Sequence, residues 1–230
     1  MSNIAIITAR GGSKRIPRKN IKDFLGKPIM AYSIEVALQS ELFDDVMVST
    51  DDEEIAESAR KYGAKVPFMR SAENADDFSG TASVLLEVLE TYQKQGKQFA
   101  YGCCLYPTAP FITVQRLKEG FDLLNAQALD SVFPVVRFSS PIQRALKKDE
   151  YGKVSMFYPE NLMKRSQDLE PAYHDAGQFY FFNTQVLLEK KQVWTDNSGV
   201  LVLSDKEVQD IDTPEDWELA AFKYQWLKQR

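Results

Sequence analysis

The sequence predicts an α/β fold whose mostly parallel sheet is covered by helices on both faces. Short apolar segments typical of buried strands alternate with amphipathic segments of helical period, which indicates a series of βαβ units. The first apolar segment, residues 4–7, leads directly into a glycine-rich basic turn. A turn of this kind at the carboxyl end of a strand is typical of anion-binding loops in α/β proteins.

The individual elements are predicted in the same alternating order. Strands are predicted at residues 4–7, 46–50, 66–69, 101–106, 132–136, 177–182 and 200–203. The third is weakened by Pro67, since proline cannot donate a hydrogen bond to a neighbouring strand. Helices are predicted to begin at Pro28, at Asp51 or Asp52, at Ser83, at Thr113 and at Thr213. Between residues 137 and 173 turns replace this pattern, which we interpret as an excursion from the sheet, either a lid or a dimerisation arm.

Composition limits the class of protein. The chain has 230 residues, 44% of them hydrophobic and 27% charged, as is usual for a soluble globular protein. No apolar run approaches eighteen residues and the first residues lack a signal-peptide pattern, so we expect neither membrane association nor secretion. The adjacent Cys103 and Cys104 are predicted to be buried free thiols in the cytoplasm. A net charge of −5 argues against nucleic-acid binding.

The basic turn is the strongest functional signal. Residues 9–20 read Ala-Arg-Gly-Gly-Ser-Lys-Arg-Ile-Pro-Arg-Lys-Asn, and residues 1–30 carry seven Lys or Arg against one acidic residue. Backbone N–H groups of the glycines and the cations beside them would bind a partner with several negative charges, such as a polyphosphate. The alternative is a solvated basic loop. Neither a dinucleotide-binding G-x-G-x-x-G motif nor a P-loop is present.

Two carboxylates form a second candidate site. In an extended segment Asp210 and Asp212 would share one face while Ile211 pointed into the core, and carboxylate oxygens at this spacing suit Mg²⁺. The alternative makes Asp212 a turn residue and leaves Asp210 solvated. The only histidine, His174, has no accompanying zinc or nucleophile motif, so a structural or substrate-positioning role is favoured over catalysis.

These motifs resemble those of the acylneuraminate cytidylyltransferases, the CMP-sialic acid synthetases and their relatives. The similarity extends over essentially the whole chain and lies in residues 7–20, 48–51, 70–73, 106–110 and 210–216. Residues 165–170 and 173–180 are most similar to the pseudaminic acid branch of the family. Sialic acid enzymes have an Asn-Gly pair where this chain has Ala176-Gly177, and the usual Pro-Thr-Ser-Pro is Pro-Thr-Ala-Pro here.

The resemblance implies a Rossmann-like fold of the nucleotide-diphospho-sugar transferase type. It also implies one cytidylyltransferase domain over residues 1–230, with residues 137–175 as an inserted arm for dimerisation and for the sugar side of the site. The implied partners are CTP, a nonulosonic acid and a second copy of the chain in a homodimer, and the implied cofactor is Mg²⁺.

The resemblance also assigns roles to residues. For catalysis it points to Lys14, Arg10 and Asp212, and for the metal to Asp210 and Asp212. For the sugar it points to Arg165, Gln167, His174 and Tyr180. For CTP it points to Arg10, Gly11, Gly12, Ser13, Lys14, Lys19, Asn20, Arg70, Ser79 and Thr81.

The implied reaction is transfer of CMP from CTP to the anomeric hydroxyl of a nonulosonic acid, with release of pyrophosphate. Pseudaminic acid is the favoured acceptor. The alternatives are the same reaction on N-acetylneuraminate, legionaminate or Kdo and, from a different class, a non-catalytic nucleotide-binding protein on this fold.

Overall fold

A computed structural model describes residues 2–75 and 80–229 of the chain. The described residues form six α-helices: α1 (Ile29–Ser40), α2 (Glu53–Lys61), α3 (Thr81–Lys94), α4 (Val114–Ala126), α5 (Thr184–Lys190) and α6 (Pro214–Lys228). The strands are β1 (Asn3–Thr8), β2 (Asp23–Phe24), β3 (Lys27–Pro28), β4 (Asp45–Ser49), β5 (Tyr101–Leu105), β6 (Ser131–Arg137), β7 (Leu146–Lys148), β8 (Val154–Met156), β9 (Tyr173–Asp175), β10 (Phe179–Asn183) and β11 (Ser198–Leu203).

The central sheet confirms the predicted α/β class. Among the described residues it has seven strands, in the order β11-β6-β10-β5-β1-β4, with β9 also paired to β6. Strands β4, β1 and β5 are parallel neighbours, and β6 and β11 form a second parallel pair. Strand β10 lies between the two groups and is antiparallel to both of its neighbours, and β9 is antiparallel to β6. Five of the seven strands therefore run in the same direction, which makes the sheet mostly parallel.

Helices cover both faces of the sheet, as the sequence predicts. Along β1, Ala5 and Ile7 pack with buried side chains of α1, α2 and α4, while Ile4 and Ile6 pack with those of α3 and α5. Successive residues of a strand point to opposite faces, so the run at residues 4–7 supplies two cores at once. Cys103 and Cys104 divide between the same two faces and are buried free thiols.

Two element predictions need correction. The strand predicted at residues 66–69 does not form: Lys65 makes one isolated bridge to Met47 of β4, after which the chain is irregular. Pro67 removes a backbone donor at the point where pairing would have to continue, which accounts for the short contact. Helix α5 was not predicted, although Asn183 caps it by accepting hydrogen bonds from the backbone N–H groups of Gln185 and Val186.

A small apolar cluster outside the sheet joins the basic turn to the carboxyl-terminal segment. Ile16 of the turn is buried together with Phe24, Phe111 and Ile211, and Trp217 of α6 packs against them. Helix α6 begins at the predicted capping box, in which Thr213 and Asp216 bond to each other's backbone N–H groups. The cluster therefore fixes residues 210–212 beside the basic turn, although nearly two hundred residues separate them in the sequence.

The excursion between β6 and β9 contains the β7–β8 hairpin and several 3₁₀ turns, and no α-helix occurs within it. It carries large apolar side chains that are exposed in the single chain, among them Leu146, Tyr151, Val154 and Met163. A monomer rarely leaves so many of these together at its surface. Its assignment as a dimerisation and sugar-side arm stays a prediction.

Candidate active site

The principal cavity opens at the carboxyl ends of β1, β4 and β5. It has a volume of about 580 Å³ and is lined by residues from the basic turn, from the connection between α2 and α3, from the start of α3 and from the segment after β5, with Asp212 on one side. A cavity at this position is typical of ligand sites in open α/β sheets. Its lining includes Arg10, Ser13, Lys14, Arg15, Lys19, Asn20, Arg70, Thr81, Tyr106 and Asp212.

Hydrogen bonds to other parts of the protein and within the turn hold the backbone of the basic turn in place. The Asn20 side chain is buried and donates from Nδ2 to the carbonyl oxygen of Arg10 at 2.8 Å. The Gly11 N–H donates to Asp51 Oδ1 at 2.9 Å, and the Ser13 N–H donates to the Gly11 carbonyl at 3.0 Å. The turn is therefore ordered by the protein itself before any ligand binds.

Gly11 is required by its neighbours, whereas Gly12 is not. A Cβ atom on Gly11 would lie 2.9 Å from Asp52 Oδ2 and 3.0 Å from Asp52 Cβ. At Gly12 a Cβ atom would meet nothing within 4 Å. The first glycine allows the turn to pack against α2, and the second faces open space.

Arg18 fixes the residue that Gly11 packs against. Its guanidinium donates to both carboxylate oxygens of Asp52, at 2.5 and 2.9 Å, and also pairs with Glu54. Asp52 caps α2 by accepting from the Ile55 N–H at 3.0 Å. The hydrogen bond from Arg18 is the main reason that the pKa of Asp52 is lowered, and the same hydrogen bond is the main reason that the pKa of Arg18 is raised.

A buried arginine forms the wall below the turn. Arg70 is only 8% exposed, and it donates from Nε to Ser49 Oγ at 3.0 Å and from Nη2 to the Ser49 carbonyl at 2.6 Å. Burial lowers the pKa of its guanidinium. A buried cation held by neutral acceptors at the edge of a cavity is well suited to an anionic or polar ligand.

A series of contacting hydroxyl-bearing side chains extends from the cavity wall into the protein. The Thr81 and Tyr106 hydroxyls are 3.1 Å apart, and both residues line the cavity. The Tyr106 ring packs against that of Tyr180, whose hydroxyl donates to Asp175 Oδ2 at 2.7 Å. Burial raises the pKa of both tyrosines, so both hydroxyls are protonated at neutral pH. This series connects the cavity wall with β9 and therefore with the end of the arm.

The carboxylate pair flanks a buried residue, as its spacing predicts. Ile211 is completely buried between Asp210 and Asp212, so both acidic residues lie on the side away from the core. Asp212 Oδ1 is 2.8 Å from Arg15 Nη2 and 3.5 Å from Lys19 Nζ. Although the Asp210 residue as a whole is exposed, desolvation of its carboxyl and the nearby charge of Asp212 raise its pKa.

A divalent cation would fit this carboxylate pair. Two neighbouring carboxylates repel each other and are stabilised by a cation between them, and Mg²⁺ commonly uses one or two carboxylates together with water and substrate phosphates. No cluster of three or more His, Cys, Asp or Glu side chains suited to a metal occurs in residues 2–75 and 80–229. The protein would therefore supply only part of the coordination sphere.

The predicted sugar-side residues lie apart from this cavity. Arg165 is exposed and pairs with Asp168 at 2.7 Å, and Gln167 lines a separate cavity of about 430 Å³ within the arm. His174 packs against Phe138, with Nδ1 2.9 Å from the Asp175 carbonyl oxygen. Tyr180 is buried and packs against Tyr106, and it is not among the residues that line the cavity of its own chain.

Most of the predicted nucleotide residues do meet at the cavity. Gly11 and Gly12 belong to the same turn without lining the space, Asp210 lies beside Asp212, and Ser79 is outside the described residues. Arg15 was predicted only as one of the cations of the basic turn, and Tyr106 was not predicted as a site residue; both line the cavity. The signal for Arg15 was its place in the basic run, and for Tyr106 its place at the end of a predicted strand.

A glycine-containing basic turn that lines a cavity at the carboxyl ends of the strands is typical of nucleotide-binding α/β proteins. The cytidylyltransferase family profile matches residues 4–213. A pseudaminic acid cytidylyltransferase from Campylobacter jejuni is 46% identical over 224 residues, which cover 97% of each chain. A CMP-N,N′-diacetyllegionaminic acid synthase from Legionella pneumophila is 32% identical, covering 95% of this chain and 94% of that protein.

The chain therefore belongs to the cytidylyltransferase family and is a nucleotidyltransferase. Solved structures confirm the fold independently. CMP:2-keto-3-deoxy-manno-octonic acid synthetase complexed with CTP aligns over 100% of both chains with a TM-score of 0.70 and 17% identity. The 4-diphosphocytidyl-2C-methyl-D-erythritol synthase from Anaerococcus prevotii aligns over 97% of this chain and 98% of that chain with a TM-score of 0.68 and 13% identity. None of the described helices is long and apolar enough to cross a membrane.

Proposed function

We propose that the protein transfers CMP from CTP to the anomeric C2 hydroxyl of a nonulosonic acid. A bond forms between that oxygen and the α-phosphorus, the bond from the α-phosphorus to the bridging oxygen breaks, pyrophosphate leaves, and the hydroxyl proton is released. The observation that carries the proposal is that the basic turn and Asp212 line the same cavity. The 46% identity to pseudaminic acid cytidylyltransferase over nearly the whole chain supports this substrate class.

The basic turn would bind the triphosphate. Arg10 and Lys14 line the cavity beside Ser13, so their charges would balance that of the β- and γ-phosphates and the charge that develops on the leaving pyrophosphate. Lys19 is anchored by its 2.6 Å hydrogen bond to the Ile211 carbonyl and would present a fixed positive charge. Transfer to phosphorus depends more on such charge neutralisation than on covalent help from the protein.

The cytosine would lie toward Arg70 and Thr81. Arg70 is held rigidly by Ser49 and would present its guanidinium donors in fixed positions, and the Thr81 hydroxyl is held in place by that of Tyr106. Fixed donors discriminate between bases more sharply than mobile ones, since a mismatched base leaves them unpaired in a desolvated site.

Asp210 and Asp212 would hold Mg²⁺. When bound there, the metal would supply Lewis-acid stabilisation of charge on the phosphate oxygens. The chain's own contribution is the buried Ile211, which would anchor the segment that carries both carboxylates.

Pseudaminic acid is the proposed acceptor, and the arm would help to select it from a second copy of the chain. Arg165 and Gln167 lie away from the cavity of their own chain, and the arm exposes large apolar side chains that a partner would cover. The homodimer and the sugar contacts are both parts of this proposal. The free thiols of Cys103 and Cys104 support a cytoplasmic location.

The test is a panel of sugar acids incubated with CTP and Mg²⁺, read by pyrophosphate release. Pseudaminic, legionaminic, N-acetylneuraminic and Kdo acids are each supplied with CTP, and ATP, GTP and UTP serve as controls for the nucleotide. We expect release with CTP and highest kcat/KM with pseudaminic acid. Preference for another nonulosonic acid would contradict the acceptor assignment alone. CTP binding without release for any acid would contradict the transferase.

A further inference from the structure

Asp212 is already occupied by cations of the protein. Its Oδ1 atom accepts from Arg15 Nη2 at 2.8 Å and lies 3.5 Å from Lys19 Nζ. A guanidinium paired with a carboxylate occupies part of its acceptor capacity and places a positive charge beside it that repels a metal ion, so the ion pair lowers the affinity of Asp212 for a divalent cation. In the structure, the proposed metal ligand Asp212 is therefore held in an ion pair with Arg15 of the same chain.

The two cations differ in how firmly they are held. The Lys19 side chain is 19% exposed and donates to the Ile211 carbonyl at 2.6 Å, an anchor independent of Asp212. The Arg15 side chain is 66% exposed. An exposed ion pair is weak in water and is easily exchanged for a partner of higher charge.

Arg15 also lies where such a partner would arrive. It lines the same cavity as Arg10, Lys14 and Ser13 of the basic turn, so an incoming polyphosphate would meet its guanidinium. A phosphate group binds a guanidinium by bidentate charge-assisted hydrogen bonds and carries more charge than one carboxylate. The polyphosphate would thus compete with Asp212 for Arg15.

We propose that Arg15 is a positioning residue that makes the metal site depend on the nucleotide. Without a nucleotide it neutralises Asp212 and weakens divalent-cation binding; when the triphosphate binds, Arg15 turns to the phosphates and releases Asp212. This inference rests on the proposed function for the identity of the nucleotide and of the metal ligands. The new element is that Arg15 couples the two ligands. It also sets an order of binding, in which the triphosphate, with any cation it carries, binds before the metal at Asp212.

The first test measures Mn²⁺ affinity in the absence of nucleotide, by the electron paramagnetic resonance signal of free Mn²⁺. Arg15→Gln is compared with wild type and with Arg60→Gln, which removes the same charge from an exposed pair with Glu53 on α2. We expect Arg15→Gln to bind Mn²⁺ about three- to fivefold more tightly than wild type, the effect of removing an exposed competing ion pair. Arg15→Lys, which restores a cation, should return the affinity toward wild type.

The second test measures CTP affinity by calorimetry with EDTA present, so that no metal takes part. Asp212→Asn frees Arg15 and should tighten CTP binding about threefold, again the scale of an exposed pair. Asp210→Asn removes an equal charge nearby without a bond to Arg15 and is the matched control. In the Arg15→Gln background the gain from Asp212→Asn should shrink to that of Asp210→Asn, because the coupling belongs to the pair.

Equal Mn²⁺ affinity in wild type and Arg15→Gln would overturn the proposal, as would an equal gain in Arg60→Gln. An additive result for Arg15→Gln and Asp212→Asn in the CTP titration, or the absence of Mn²⁺ binding in every variant, would also overturn it. Neither measurement uses a sugar acid or turnover. Failure of the proposed transferase reaction would appear in the pyrophosphate assay and is therefore distinguishable.

Discussion

Replacing Gly11 with alanine tests whether the basic turn is shaped by its packing against α2. The added Cβ would lie 2.9 Å from Asp52 Oδ2 and 3.0 Å from Asp52 Cβ, both closer than ordinary carbon contacts. Asp52 cannot simply rotate away, because Arg18 binds both of its carboxylate oxygens and the Ile55 N–H binds one of them. The turn must therefore move, and with it the 2.9 Å bond from the Gly11 N–H to Asp51.

Overpacking of this kind costs about 1–3 kcal/mol. For a chain of this size each 1 kcal/mol lowers Tm by about 2–4 °C, so a loss of roughly 2–12 °C is expected. Gly12→Ala is the matched control, since its Cβ meets nothing within 4 Å. Urea unfolding gives the change in stability, and calorimetric titration with CTP gives the change in affinity, which should fall for Gly11→Ala because the turn is displaced.

The result that would refute this reasoning is equal behaviour of the two alanine variants. If Gly11→Ala matched Gly12→Ala in unfolding free energy and in CTP affinity, the close contact with Asp52 would not constrain the turn.

Other side chains around the site give further predictions. Arg18→Gln should return the pKa of Asp52 toward its ordinary value. Because the pKa of Asp52 in the folded protein is lowered, the loss of unfolding free energy relative to wild type should be complete above about pH 4 and should shrink as the pH falls further. A loss that does not change with pH in urea unfolding would contradict this. Tyr180→Phe should lower unfolding stability by about 1–3 kcal/mol by removing its bond to Asp175, and an unchanged urea midpoint would argue against that bond. Lys14→Ala should lower kcat more than it raises KM for CTP; a change in KM alone, from initial rates, would indicate uniform binding instead.

The sequence predicted the features that depend on local pattern. The apolar run at residues 4–7, the capping box at Thr213 and the buried Ile211 between two aspartates each follow from periodicity or cap chemistry, and each is present in the structure. The Val66–Met69 segment failed as a strand because an apolar composition does not overcome the donor lost at Pro67.

What could not be predicted depends on long-range packing. The antiparallel course of β10 follows from its pairing with β5 and β6, which no local pattern encodes. The Arg15–Asp212 pair joins residues brought together by the cluster around Ile16 and Ile211. The distance of Arg165 from the cavity of its own chain likewise follows from the path of the whole arm.

The proposed transferase reaction is tested most directly by following the phosphorus atoms of CTP. The protein is incubated with pseudaminic acid, a divalent cation and CTP carrying ³²P at either the α or the γ position, and the products are separated. Transfer of CMP predicts that the α label appears in the CMP-sugar and the γ label in pyrophosphate. In Asp212→Ala neither labelled product should form. Appearance of the γ label in orthophosphate or in the sugar, or a CMP-sugar formed at the wild-type rate by Asp212→Ala, would contradict the account.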